Sequence, residues 1–128
     1  MTPETVTIIL PLPHGCLSPN RPTGSFGGRM RRANMARKHR RLAREAVEDQ
    51  HIDDTPWQLA TVSAIFFHPT HRRRDDVNSL AMLKSVYDGA VDAGLLVDDD
   101  STHLKTIGAS FAISKDAPRV ELTFTRLA

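Results

Sequence analysis

Cysteine is almost absent from the sequence. Cys16 is the only one among 128 residues, so no intramolecular disulfide can form and a small secreted scaffold stapled by disulfides is excluded. Long apolar runs are missing too. The longest uncharged stretch, Thr5 to Asn20, is broken by Pro11, Pro13 and Pro19, and nothing approaches the roughly 20 apolar residues of a membrane helix. Met1 to Glu4 carries no basic n-region, so a secretory signal is not expected. Internal repeats, low-complexity tracts, a Walker-type glycine loop and an HExxH-type motif are all lacking. These absences point to a cytoplasmic protein with no membrane partner and no small-molecule cofactor. What remains is ordinary: 128 residues, 40% hydrophobic and 25% charged, suit a single domain with one modest core.

Charge is short in a different sense. The net charge is only +2, which by itself recommends no polyanionic partner, yet it conceals a segregation along the chain. From Arg21 to Arg44 there are nine basic residues and no acid, whereas Asp75 to Asp100 holds seven aspartates against the single Lys84. Such a layout fits a protein that meets phosphates with one surface and cations with another.

Thr5 to Leu12 alternates Val6, Ile8, Leu10 and Leu12 and reads as a first strand, with Pro11 marking its end or an edge. His14 to Arg32 is rich in Pro, Gly, Ser and Asn and reads as a basic mobile loop over about 14–33. A helix is expected from Asn34, with Met35, His39, Leu42, Ala43 and Ala46 on one stripe and Arg37, Arg40, Arg41 and Arg44 on the other face. Trp57 to Phe67 suggests a central strand covered on both sides. A second helix starts near Asp76 to Asn78, carries Leu80, Leu83, Tyr87, Val91 and Leu95, and stops around Gly94. Two alternating strands follow, on Ile107 to Ile113 and on Val120, Leu122 and Phe124. The expected fold is α+β, a small mixed sheet packed with two main helices in the order β-α-β-α-β-β.

The strongest local feature is the run Arg72-Arg73-Arg74-Asp75-Asp76-Val77-Asn78, where a strand hands over to a helix. Carboxylates there suit Mg²⁺, and the arginines would draw a phosphodiester towards it. Asp98, Asp99 and Asp100 form a second acidic cluster. A continuous helix between the clusters would hold them roughly 30 Å apart at about 1.5 Å per residue. Joint ligation by Asp75 and Asp99 therefore needs a second subunit, or a late helix start together with a loop that doubles back after Gly94. The same aspartates would serve equally as helix caps and turn residues. The arginine face of the first helix reads either as a solvated surface or, since the arginines would repel one another without an anion, as a nucleic-acid contact. His68, His71 and His103 read as surface or loop histidines, His39 as a packed one, and Phe26 as a loop residue able to stack on an unpaired base.

The segment RRRDDVNSLAMLKSVYDGAVDAGLLVDDD resembles the signature segment of the RusA family of Holliday-junction resolvases, and ILPLPHGCLSPNR and MARKHRRLAREA are similar to the family's opening strand, turn and basic helix. The resemblance implies a RusA-like domain, bacterial or phage-encoded: a symmetric homodimer that uses Mg²⁺, with Mn²⁺ as an alternative ion, to nick paired strands of a branched, four-way DNA junction. It implies Asp75, Asp76, Lys84 and Asp99 as catalytic residues and Asp75, Asp76, Asp98 and Asp99 as metal ligands. Lys84 would stabilise charge at the scissile phosphate. Arg29, Arg31, Arg32, Arg37, Arg40, Arg41, Arg44, Arg72, Arg73 and Arg74 are the expected DNA contacts. Two positions depart from the family pattern, Asp-x-Asp-Asn. Matching Asn78 to its Asn puts Val77 at the second aspartate, for which Asp76 would have to substitute, and Lys84 lies about three residues further from Asn78 than the family spacing, nearly one helical turn. The alternative is thus a catalytically impaired, RusA-like DNA-binding module.

Overall fold

The computed structural model describes residues 4–19, 24–50, 55–71 and 76–128, with the backbone alone for Asp76. Four strands form one mixed sheet: β1 (Thr5–Leu10), β2 (Ala60–His68), β3 (Leu104–Ile113) and β4 (Arg119–Arg126), in the spatial order β1-β4-β2-β3. β4 is antiparallel to both β1 and β2, while β2 and β3 are parallel. A parallel neighbour needs a crossover, supplied here by α2 (Asp76–Ala81) and α3 (Lys84–Asp92). The long α1 (Phe26–Glu48) connects β1 to β2 and packs against α3. The expected α+β class and element order hold, with the second helix divided in two.

Alternation explains why the sheet closes on one core. Val6, Ile8 and Leu10 from β1, Val62, Ala64 and Phe66 from β2, and Val120, Leu122 and Phe124 from β4 are all buried, against Ala43 and Val47 of α1 and Val86 and Ala90 of α3. β1 ends before Pro11, which has no N–H to extend the ladder, and it forms a sheet edge.

Three expectations need correction. The segment read as a loop over 14–33 contains a short 3₁₀ turn, Gly15–Leu17, and eight residues of α1 that precede Asn34; the N-cap is Ser25, whose Oγ accepts from Gly28 N at 3.0 Å. A side-chain cap of this kind offsets the weak helix propensity of Gly27 and Gly28. β2 begins at Ala60 rather than Trp57, and it is covered on one face only, because residues 61, 63, 65 and 67 are partly or fully exposed. The strand expected on Ile107 to Ile113 is present as β3, at the sheet edge and with little burial: Ile107, Phe111 and Ile113 are exposed, and Gly108 at φ +140° accompanies a register shift opposite Val62 and Ser63, the mark of a bulge. The second helix breaks at Met82 and Leu83, where Leu83 turns wholly into the core.

Gly89 sets the distance between the two main helices. A Cβ there would lie 2.4 Å from the Arg40 carbonyl oxygen and 2.8 Å from Ala43 Cβ, so only glycine permits α3 to lie this close against α1. The helices run side by side in the same direction, Ala36 beside Ser85 and Arg40 beside Gly89.

Candidate functional site

Asp75, one end of the separation posed by a continuous helix, lies outside the described residues; what the return of the chain after Gly94 brings together is Asp99 and the first turn of α3. α3 is short, and Gly94 at φ +82° ends it in the left-handed conformation that glycine adopts at no steric cost. Leu95 and Leu96 then bury, with Trp57 N donating to Leu95 O at 2.8 Å and Leu96 bridging Trp57. This anchored loop turns back and delivers Asp99 to the first turn of α3. Lys84 Nζ donates to Asp99 Oδ2 and, at 3.0 Å, to Asp88 Oδ1. One ammonium thus joins two carboxylates from separate parts of the chain.

The Asp99 side chain is only 13% exposed, against 66% for Lys84. Burial works to raise the Asp99 carboxyl, but the hydrogen bond and charge of Lys84 outweigh it and leave the group below the ordinary carboxylate range. Lys84 is displaced upward, chiefly by its hydrogen bond to Asp99. Both therefore stay ionised at neutral pH.

Further along α3, Asp92 meets Arg40 of α1 in a two-pronged contact, with Nε to Oδ2 at 2.5 Å and a second guanidinium nitrogen to Oδ1 at 2.8 Å. Arg40 is raised and Asp92 lowered by that hydrogen bond.

Beside Lys84 opens a cleft of about 360 Å³ between α1 and the α2–α3 junction, lined by Arg29, Arg32 and Lys84 and by apolar side chains that include Leu17, Ala36 and Met82. Arg32 reaches Ser18 O at 3.4 Å and Arg29 reaches Gly24 O at 3.5 Å, contacts that leave most of their five donors available.

The expected site residues divide sharply. Lys84 and Asp99 come together. Asp98 accepts from the backbone N–H of Asp99 at 2.7 Å and is engaged in the turn, as is Asp100, which accepts from Thr102 N at 2.9 Å. Asp76 opens α2, while Asp75, Arg72, Arg73 and Arg74 lie outside the described residues. Arg29 and Arg32 face the cleft. Arg31 contacts His14 at 3.1 Å, and Arg37 donates to Asn34 of the preceding turn. Arg40, Arg41 and Arg44 are not an uncompensated face, because Asp92, Glu45 and Glu48 accompany them, the last two at 3.9 and 3.6 Å. His39 is buried as expected, and burial holds it below the ordinary histidine range. Phe26 sits in the first turn of α1 and is exposed.

Asp88 was absent from the expected site. Its signal was its place four residues after Lys84 on one helix face.

Among the described residues, no group of three or more His, Cys, Asp or Glu side chains is placed to hold a metal ion. The donor chemistry of Asp88 and Asp99 nevertheless suits Mg²⁺, since two carboxylates already converge on a single cation and Mg²⁺ prefers oxygen ligands. Compared with protein-family models and with curated protein sequences, the chain matches none.

Proposed function

We propose that the protein is a Mg²⁺-dependent, structure-selective endonuclease of the RusA kind that nicks four-way DNA junctions as a homodimer in the cytoplasm of a bacterium or a phage-infected cell. The observation that carries this reading is Lys84 held between Asp88 and Asp99 at the edge of a cleft lined by Arg29 and Arg32. Hydrolysis of a phosphodiester joins a water oxygen to phosphorus and releases the 3′ oxygen, so negative charge builds on the non-bridging oxygens. Asp99 and Asp88 would hold Mg²⁺, which when bound activates water and offsets that charge. Lys84 would leave its carboxylates for the phosphate as the strand arrives, and an ammonium is cationic at neutral pH with or without those partners. The arginines of the cleft fix the strand's register through its phosphates. A two-fold junction is matched by a two-fold enzyme, and the free edge of β3, with Ile107, Phe111 and Ile113 exposed, offers apolar surface for the second copy.

Val77 favours a second reading. It is 70% exposed at the position where the family pattern places an aspartate, so the fold would bind junctions without cutting them. Stoichiometric protein incubated with a four-way junction in Mg²⁺ separates the two. Paired nicks on opposing strands support the nuclease. Salt-sensitive junction binding with no cutting in Mg²⁺ or Mn²⁺ supports the binding module, and no retention of DNA at low salt overturns both.

A further inference from the structure

The cleft beside Lys84 has two sides of different chemistry. Leu17 is buried, Ala33, Ala36, Met82 and Arg32 are half-buried, and Ala81, Arg29 and Lys84 are exposed. The deepest lining residue is thus apolar, and two of the three cations lie at the mouth, with Arg32 behind them. No acidic side chain lines it among the described residues, and the stretch of α1 from Arg29 to Ala36 that forms one wall contains no acid. At about 360 Å³ it falls at the small end of small-ligand sites, roughly 300–1,000 Å³. That is room for a single nucleotide. A bare phosphate would use the mouth and leave the apolar depth wet, and an apolar ligand would leave the cations unmatched. An anionic group joined to a flat, largely apolar ring satisfies both.

We propose that this cleft is a binding site for one unpaired deoxynucleotide of a DNA strand, its base against Ala33, Ala36 and Met82 and its 5′ phosphate on Arg29 and Arg32. The proposal rests on the nuclease or binding reading only in taking DNA as the source of the nucleotide. The cleft shares Lys84 with the Asp88–Asp99 pair, so a strand with one nucleotide seated here carries its next phosphate towards those carboxylates. At the crossover of a four-way junction base stacking is interrupted, so a nucleotide there is drawn out of its pair at less cost than within a continuous duplex. The site would therefore read the branch and not the sequence.

The test uses the full chain in EDTA, so that binding is measured without cutting. A 5′-phosphorylated single strand and a blunt duplex of equal length are titrated against wild type, Ala36→Leu, which fills the cleft, and Arg32→Gln, which removes charge from it. Thermal unfolding confirms that each variant is folded, and Ala33→Leu replaces Ala36→Leu if that chain does not fold. The expected result is an about tenfold loss of single-strand affinity in either variant, with duplex affinity within about twofold for the filled cleft. Unchanged single-strand affinity, equal losses for single strand and duplex on filling the cleft, or no single-strand binding by folded wild type overturns the proposal. Each of these outcomes leaves the nuclease reading to be decided separately by nicking in Mg²⁺.

Discussion

Two contacts between aspartate and a basic side chain hang on α3, one at each end, and they differ in what their cation is still able to do. Arg40 and Asp92 meet with two parallel hydrogen bonds across the α1–α3 seam, close to where Gly89 brings the helices together. Both partners are committed to one another, and the contact locks a crossing. Lys84 instead divides its ammonium between Asp88 and Asp99 and faces a cleft. An ammonium is a flexible point charge, whereas a guanidinium fork is matched to one carboxylate in a fixed plane. Arg at one end suits the holding of a seam, and Lys at the other suits the ligand-serving role proposed for the cleft.

The comparison can be strained in three ways. The largest effect is expected from Gly89→Ala, because the added Cβ would fall within 2.4 Å of the Arg40 carbonyl oxygen and the seam must open. Overpacking of this kind costs about 1–3 kcal/mol, readable as a drop of several degrees in Tm, and it should disturb the Arg40–Asp92 contact before the Lys84 one. Next, Arg40→Met should cost about 0.5–1 kcal/mol in urea unfolding, since both side chains are partly exposed; a loss above about 2 kcal/mol would mean the pair is buried more effectively than its exposure indicates.

The smallest effect is a pH profile. Asp99 and Asp92 are both lowered, so their contacts contribute fully above the ordinary carboxylate range and are lost as pH falls through the depressed values. Lys84 is raised, so its contribution is complete below the ordinary lysine range and disappears as pH rises through the elevated value. The stability difference between wild type and Lys84→Met should therefore fade in both acid and alkali, outside about pH 5–10, while that for Arg40→Met fades in acid alone because Arg does not titrate there. Urea midpoints across pH check this, and identical profiles for the two variants would erase the distinction.

Much of the fold was legible because its strands obey period two. Val6, Ile8 and Leu10, and Val120, Leu122 and Phe124, alternate in the sequence and are the buried residues of β1 and β4. The alternation of Ile107, Phe111 and Ile113 also marks a strand, although on this edge strand the three side chains are exposed. The early start of α1 was hidden by Gly27 and Gly28, which local propensity assigns to a loop and the Ser25 cap assigns to a helix. No Gly or Pro marks the break at Met82 and Leu83, because its cause is tertiary: Leu83 is drawn into the core.

The same limit governs the candidate site. Lys84 and Asp99 were visible as types in a pattern, but nothing in the run Asp98-Asp99-Asp100 distinguishes the one that faces Lys84 from the two that serve a turn. The partner of Arg40 lies 52 residues away, so the basic face looked uncompensated until the helices were placed side by side. Asp88 was within reach of local reasoning through its helical spacing from Lys84, as were Glu45 and Glu48 through theirs from Arg41 and Arg44.

The most direct test of the account compares junction cutting by Asp99→Asn and Asp92→Asn at equal concentration in Mg²⁺. The two substitutions remove the same charge from the same neighbourhood. Loss of about 100-fold or more in Asp99→Asn, the scale of deleting one group that stabilises a charged transition state, together with less than about threefold in Asp92→Asn, is the predicted result. Cutting that survives Asp99→Asn, or that falls equally in both, would contradict it.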